Sequence, residues 1–316
     1  MTKIFRTAFI ISLLLLFVYP TFLFAEDAFY DAAGFNPNRE TFSMTPFEHI
    51  DTFTGGVTLS YVDARLPGNG GLDLVIQRTF NSKRVCKQWA SLASPWYCQI
   101  LGNDSWMGLG WSLHFGRIID PGGANPIIEM PDGSQHKAYS STANPGKKIT
   151  KDYWLYDSYY DSSHPLYKNQ IVVTFTDGRK IYFGHNGPPV NGKPTLYALK
   201  ITDTFGNTID IYYKLPYAGD EIIDYVEDTV GRKVYFYTST VNYGQKLTSI
   251  SGPGVDFTYT HNGIPAVGYS LLMNAAPAVG NSWAYSYHST NYPTYDLTSV
   301  TSPAGGVISY PEYDMQ

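Results

Sequence analysis

Through the C-terminal half of the chain, apolar and polar residues alternate in short runs, each broken by a polar turn that contains glycine. Val234 and Phe236 alternate with Lys233 and Tyr235, and Phe257 and Tyr259 with Asp256 and Thr258. Period-two alternation rich in β-branched and aromatic residues is the signature of a half-buried strand. Apolar pairs at spacing three precede the turns: Ile223 and Val226, Leu247 and Ile250, Leu297 and Val300. The turns carry Gly178, Gly206, Gly231, Gly254, Gly280 and Gly305, where access to positive φ suits a tight reversal. Each unit reads as a β-hairpin.

The units recur at a near-constant interval. Centred on Asp177, Asp203, Asp228, Gly252, Pro277 and Ser302, they step by 26, 25, 24, 25 and 25 residues. Such a period predicts stacked units that bury their apolar faces only on their neighbours. The expected fold class is all-β: antiparallel β-hairpin repeats preceded by an N-terminal β-rich region. Segment boundaries fall at 1–25, 26–150 and 151–316.

Upstream, residues 26–47 read as an extended lead-in and 48–139 as strands, with Val57, Leu59 and Tyr61 facing one way. A polar loop at 140–148 and a Tyr/Asp-rich tract at 152–167 follow. The breaker cluster Asn186 to Pro194 is expected to separate the first hairpin from the rest. No amphipathic helix is evident after residue 25.

The N-terminus reads as an export signal. Lys3 and Arg6 precede an almost wholly apolar run at 8–24, and Ala25-Glu26 offers a cleavage junction. The competing reading is an uncleaved anchor, for which the run is short. No other run approaches membrane length. Export gives the two cysteines an oxidising destination, so a Cys86–Cys98 disulfide is expected, worth about 3 kcal/mol through restriction of the unfolded chain. The alternative is two buried thiols.

Chemistry is sparse. No nucleophile elbow, paired-histidine zinc motif or phosphate-binding loop is present. The seven histidines (His49, His114, His136, His164, His185, His261, His288) lie at no metal-ligand spacing. Asp152, Asp157 and Asp161 could be read as paired glycosidase carboxylates or a calcium site, or simply as a solvated acidic loop. Asp120-Pro121-Gly122-Gly123 has ordinary turn composition. The expectation is no catalysis, no cofactor and no metal. A formal charge of −5, becoming −7 once Lys3 and Arg6 leave with residues 1–25, argues against a nucleic-acid partner, which needs a basic surface.

Leu297-Thr-Ser-Val300 through Gly305 to Tyr310-Pro-Glu-Tyr313-Asp314 resembles the YD repeat of Rhs proteins, building unit of secreted bacterial shells. Asp51 to Tyr61, Leu66 to Leu74, Arg78 to Ser82 and Gly108-Leu-Gly110-Trp111-Ser-Leu113 resemble the region that precedes such repeats in that family. The resemblance spans roughly residues 48 to 314. It implies a curled, shell-like sheet and a non-enzymatic encapsulation module, secreted or at the cell surface. It also implies a C-terminal sheet edge that pairs with a downstream YD-repeat segment or a partner chain, since the chain stops at Tyr313-Asp314-Met-Gln where a unit finishes. A surface carbohydrate-binding protein is the alternative, because exposed Tyr and Trp stack on sugars. A glycoside hydrolase ranks last.

Overall fold

The computed structural model describes residues 41–42, 46–52, 55–84, 87–91, 94–99, 105–190, 192–214, 221–241, 244–264, 269–288 and 295–310, with backbone only at 41–42, 87–91 and 94–99. The expected signal segment with its Ala25-Glu26 junction lies outside these residues. So do Cys86 and the side chain of Cys98.

Strands β1 (Thr41–Phe42), β2 (Glu48–Asp51), β3 (Val57–Leu66) and β4 (Leu74–Asn81) pair in succession. A separate hairpin, β5 (Lys87–Ser91) and β6 (Ser94–Gln99), follows. β7 (Trp111–Leu113) then pairs with β4, completing a five-stranded antiparallel sheet.

The next strands are β8 (Arg117–Ile119), β9 (Ile127–Glu129), β10 (Gln135–Ser140) and β11 (Lys148–Thr150), then β12 (Leu155–Tyr160), β13 (Asn169–Thr174), β14 (Lys180–Val190) and β15 (Lys193–Thr202). Each pairs with its successor, and the first half of β15 pairs back to β8 through Thr195↔Ile119, Leu196↔Ile118 and Tyr197↔Arg117. A ring closes. It takes strands from both sides of residue 150.

The second half of β15 leads out of the ring into an antiparallel meander. Its strands are β16 (Thr208–Tyr213), β17 (Ile223–Asp228), β18 (Lys233–Val241), β19 (Gly244–Gly252), β20 (Val255–Ile264), β21 (Tyr269–Pro277), β22 (Trp283–Tyr287), β23 (Leu297–Thr301) and β24 (Val307–Ser309). The chain is all-β, as its patterning implies.

The apolar pairs at spacing three have a single cause. Strict alternation would place residues three apart on opposite faces, yet Ile223, Val226, Leu247, Ile250, Leu297 and Val300 are all buried. Pairing skips one residue inside each pair. Tyr212 opposes Tyr225 while Tyr213 opposes Ile223, leaving Asp224 extra. Thr248 is extra in β19, Met273 in β21 and Thr298 in β23. In β15 Leu199 takes the same position between Ala198 and Lys200. These are β-bulges, which bend a strand and increase its twist. One per hairpin, 24 or 25 residues apart, curls the sheet in one sense.

The turn glycines Gly178, Gly206, Gly231, Gly254, Gly280 and Gly305 have φ between +72° and +120°. Four of these turns are built alike. Phe175, Asp203, Asp228 and Ser302 each donate their N–H to the carbonyl four residues on, with glycine at the third step. Side chains complete them: Asp203 Oδ1 accepts from the N–H of Phe205 and of Asn207, both at 2.8 Å. Asp228 Oδ1 does the same with Val230 and Arg232 at 3.1 and 2.9 Å. The first turn therefore phases on Phe175, not on Asp177, and the first glycine-to-glycine step is 206 − 178 = 28 residues.

The extra length lies in the hairpin of β14 and β15. The cluster from Asn186 to Pro194 does not separate units; both strands run into it, the last pair being Val190↔Lys193. Pro188 and Pro189 are accommodated because the register shifts between Gly187 and Val190, and proline, lacking an N–H, is tolerated where the ladder is interrupted. The Tyr/Asp-rich tract likewise runs as strand β12 from Leu155 to Tyr160.

Candidate functional site

The N-terminal sheet meets the meander along a seam of buried polar groups. At its centre is Arg78 of β4, fully buried and ion-paired with Asp63 of β3. Its Nη2 donates to the Tyr285 hydroxyl at 2.7 Å, and the Tyr259 hydroxyl donates to Asp63 Oδ2 at 2.7 Å. The guanidinium carbon lies 4.8 Å from the Tyr61 ring centroid, 5.6 Å from Phe257 and 5.8 Å from Tyr285. Aromatic faces and a carboxylate thus replace the water a buried cation loses. Burial pushes the Tyr259 and Tyr285 hydroxyls up, Arg78 opposing it in each case, so both stay protonated.

The segment Ser105 to Gly110 makes the second contact. Leu247, beside the bulged Thr248, donates its N–H to Trp106 O at 2.8 Å, and Leu109 donates to Ser270 O at 2.8 Å. The buried Lys246 Nζ donates to Ser105 O at 2.7 Å. Gly108 sits here at φ +97°, and an added Cβ would lie 2.9 Å from the backbone oxygen of Ser270. Only glycine allows the two backbones to approach so closely. That accounts physically for the first glycine of the Gly-Leu-Gly-Trp string.

His261 lies at the same junction. Its Nε2 is 2.7 Å from Leu247 O, so that nitrogen carries the proton. Burial, helped by Lys246 and opposed by the Leu247 bond, lowers its pKa to about 4.

A third network centres on Glu129. Its carboxylate accepts from Arg117 Nη2 at 2.9 Å, Gln135 Nε2 at 2.8 Å, His114 Nε2 at 3.2 Å, and Arg84. Burial disfavours its charge, but Arg117 and Arg84 outweigh burial and hold the carboxyl well below its ordinary value. His114 Nδ1 accepts the Gly116 N–H at 3.1 Å, so the ring is a neutral Nε2–H tautomer, its pKa lowered by burial. From Arg117 the chain of bonds runs through the Tyr197 hydroxyl to Glu221, and from Glu221 to the Trp106 N–H. Ring, meander and the Ser105–Gly110 segment are tied by one network.

One constellation has the contacts of a nucleophilic triad. Ser134 Oγ is 3.2 Å from His136 Nε2, and His136 Nδ1 is 2.6 Å from Asp152 Oδ2. The serine's proton goes elsewhere: Oγ donates to Asp132 Oδ1 at 2.7 Å. The neighbouring N–H groups of Ser134 and Gly133 are also spent, on Asp132 Oδ1 and Met130 O. Ser134 is buried and Trp154 covers the imidazole at 3.9 Å. The arrangement offers neither an activated hydroxyl nor an oxyanion hole. The acidic tract does not form a carboxylate pair either. Asp152 faces His136, Asp157 pairs with Lys147 at 2.7 Å, and Asp161 caps Ser163. Among the described residues no group of three or more His, Cys, Asp or Glu could hold a metal ion, and no helix is long and apolar enough to cross a membrane.

On the outer face, Tyr212, Tyr225 and Tyr235 stand opposite one another on β16, β17 and β18. Tyr212 and Tyr225 stack at 4.3 Å with 17° between planes, and Tyr235 follows at 5.6 Å. Tyr225 packs between its neighbours, while Tyr212 and Tyr235 remain 42% and 41% exposed.

Sequence reasoning missed Asp63, Arg84, Arg117, Glu129 and Glu221. A signal was present: Arg78 lies between Ile76 and Phe80, Arg117 before Ile118-Ile119, and Glu129 after Ile127-Ile128. A charge inside an apolar strand must find a buried partner.

Residues 47–137 match the model of a family described as a domain of unknown function, DUF6531. No curated protein matches the chain. Among solved structures it is similar to a Photorhabdus luminescens Tc holotoxin pore carrying a TccC3 mutation, at 9% identity over 82% of this chain and 16% of that one, TM-score 0.49. It is similar to a TcdB2–TccC3 crystal structure at 9% identity over 89% and 17%, TM-score 0.38. It is also similar to the N-terminal domain of the effector SpvB from Salmonella typhimurium, at 10% identity over 79% and 99%, TM-score 0.32. The chain spans about one sixth of the length of the toxin-complex chains.

Proposed function

We propose that this chain is a non-enzymatic structural module of an exported shell of the Rhs/YD-repeat kind. The N-terminal sheet acts as a clasp that fixes the curl of the repeat sheet, and β24 is the edge on which further repeats or a partner chain build. The observation that carries this reading is the seam itself. Arg78–Asp63, Glu129 with its arginines, and Lys246 are charges buried where two parts of one chain meet, a costly arrangement that favours one docking geometry over others. The recurrent bulges supply the curl, and the motif string Gly108 to Leu113 lies in the clasp.

The reading requires that β24 recruit a strand. β24 pairs with β23 through Val300↔Ile308, and among the described residues no strand pairs with its other edge. A separately expressed YD-repeat segment should co-elute with this chain. Val307→Lys with Ser309→Lys, which place charges on the edge, should abolish the association. No co-elution, or co-elution indifferent to the two lysines, overturns the proposal. The same reading expects secretion with cleavage before Glu26, a Cys86–Cys98 disulfide seen by mass spectrometry without reductant, and no turnover in a screen of glycans, esters and peptides.

A further inference from the structure

Beneath the first two turns of the repeat array lies a cavity of 190 Å3. Its walls are Leu72 just before β4, Val75 of β4, Phe115 and Met130 from the ring side, and Ile201 and Ile209 of β15 and β16. An apolar cavity near 150 Å3 takes up benzene, so this one has room for a six-membered ring or branched chain with a small substituent.

Two charged groups line it, and they are not equivalent. Asp73 has both oxygens engaged: Oδ2 accepts from Arg65 Nη1 at 3.0 Å and Oδ1 from the Gly68 N–H at 3.0 Å. Arg179 lends only Nε to Asp177, at 2.6 Å, with its guanidinium carbon 5.8 Å from the Phe175 ring. Its two terminal nitrogens make no hydrogen bond to any described residue. Arg179 is about half exposed and its charge is shared with Asp177, so the polar capacity left at the mouth of this otherwise apolar cavity is the donor pair of its terminal nitrogens.

We propose that this cavity binds a small carboxylate with an aromatic or branched apolar body. The body fills the space between Val75 and Ile201, and the carboxylate meets the terminal nitrogens of Arg179. A guanidinium presents two parallel donors that match a carboxylate. A neutral apolar molecule would leave those donors unused, and an ammonium would face them with like charge. This inference stands apart from the module reading and neither needs the other.

The test uses the purified chain and three probes of one shape: phenylacetate, toluene and phenethylamine, titrated by ligand-observed NMR and calorimetry. Phenylacetate should bind saturably, about five-fold tighter than toluene, the increment expected for a half-exposed ion pair, and phenethylamine more weakly than either. Arg179→Gln should bring phenylacetate down to the level of toluene and leave toluene unchanged. Val75→Phe, which fills the cavity, should abolish both. Should that variant misfold by circular dichroism, Ile201→Phe fills the cavity from the opposite wall. No saturable binding of phenylacetate, binding that survives the filled cavity, or equal affinity for phenylacetate in Arg179→Gln overturns the proposal.

Discussion

Arg78 Nη2 donates to the Tyr285 hydroxyl at 2.7 Å, across 207 residues of sequence. This bond joins the first sheet to β22, the seventh strand after the ring, and the bond from the Tyr259 hydroxyl to Asp63, the ion-pair partner of Arg78, joins it to β20. Cutting one partner leaves the other buried and uncompensated. Arg78→Met should cost about 3–5 kcal/mol, whereas Arg78→Met with Asp63→Leu, which removes both charges, should recover most of it. Urea denaturation of the single and double variants measures this. Equal loss in both would show that the charges are not what the seam depends on.

Stability should fall in mild acid through His261. Its pKa is about 4 in the folded protein against roughly 6.5 unfolded. The unfolded chain therefore takes up the proton first. The contribution is complete above pH 6.5, is lost as pH falls from 6.5 to 4, and changes no further below 4. Its full size is about 3 kcal/mol. His261→Gln, which can still donate to Leu247 O, should flatten that part of the profile. His114 shifts in the same direction, so a residual slope is expected.

Deleting the bulge residue Thr248 should be tolerated better than deleting Thr258. Without Thr248, Leu247 and Ile250 stand two apart and still face inward, although the bend and the Leu247–Trp106 bond are disturbed. β20 has no bulge between Phe257 and Tyr259. Losing Thr258 therefore turns one of these two inward-facing rings outward. Circular dichroism and amide exchange at Leu247 separate the two outcomes: retained fold with faster exchange for the first, unfolding of the hairpin for the second.

Two glycine-to-alanine changes should differ in size. At Gly206, φ is +86° and an added Cβ meets nothing within 4 Å, so Gly206→Ala should cost only the backbone strain, about 1–2 kcal/mol. At Gly108 the Cβ would also meet Ser270 O at 2.9 Å. Gly108→Ala should cost more, on the order of 3 kcal/mol or above, and should expose the amide of Leu109. Thermal denaturation of the two variants compares them directly. A smaller loss at Gly108 would mean that the Ser105–Gly110 segment is loosely held.

The hairpins and their turns were legible because their causes are local. An Asp and a Gly three residues apart close a turn through bonds within five residues, as at Asp203 to Asn207 and Asp228 to Arg232. The apolar pairs at spacing three were equally visible, but the pattern alone did not distinguish a bulge from a break in alternation. That depends on the facing strand, where Tyr212 and Tyr213 oppose Tyr225 and Ile223. The phase of the first turn was misread for a related reason: Asp177 resembles Asp203 in type, yet the closing bond belongs to Phe175.

What only the tertiary structure decided are pairings between segments that carry no local signal for each other. Tyr197 against Arg117 closes the ring, Leu247 against Trp106 seats the clasp, and Tyr285 against Arg78 locks it. Each is paid in loop closure before any contact is made, and each depends on where bulges have already bent the sheet. The sequence by itself determined strands, turns and their period, since those follow from the properties of a few adjacent residues. Which charges share a buried site followed only once the curl had brought distant strands within hydrogen-bond reach.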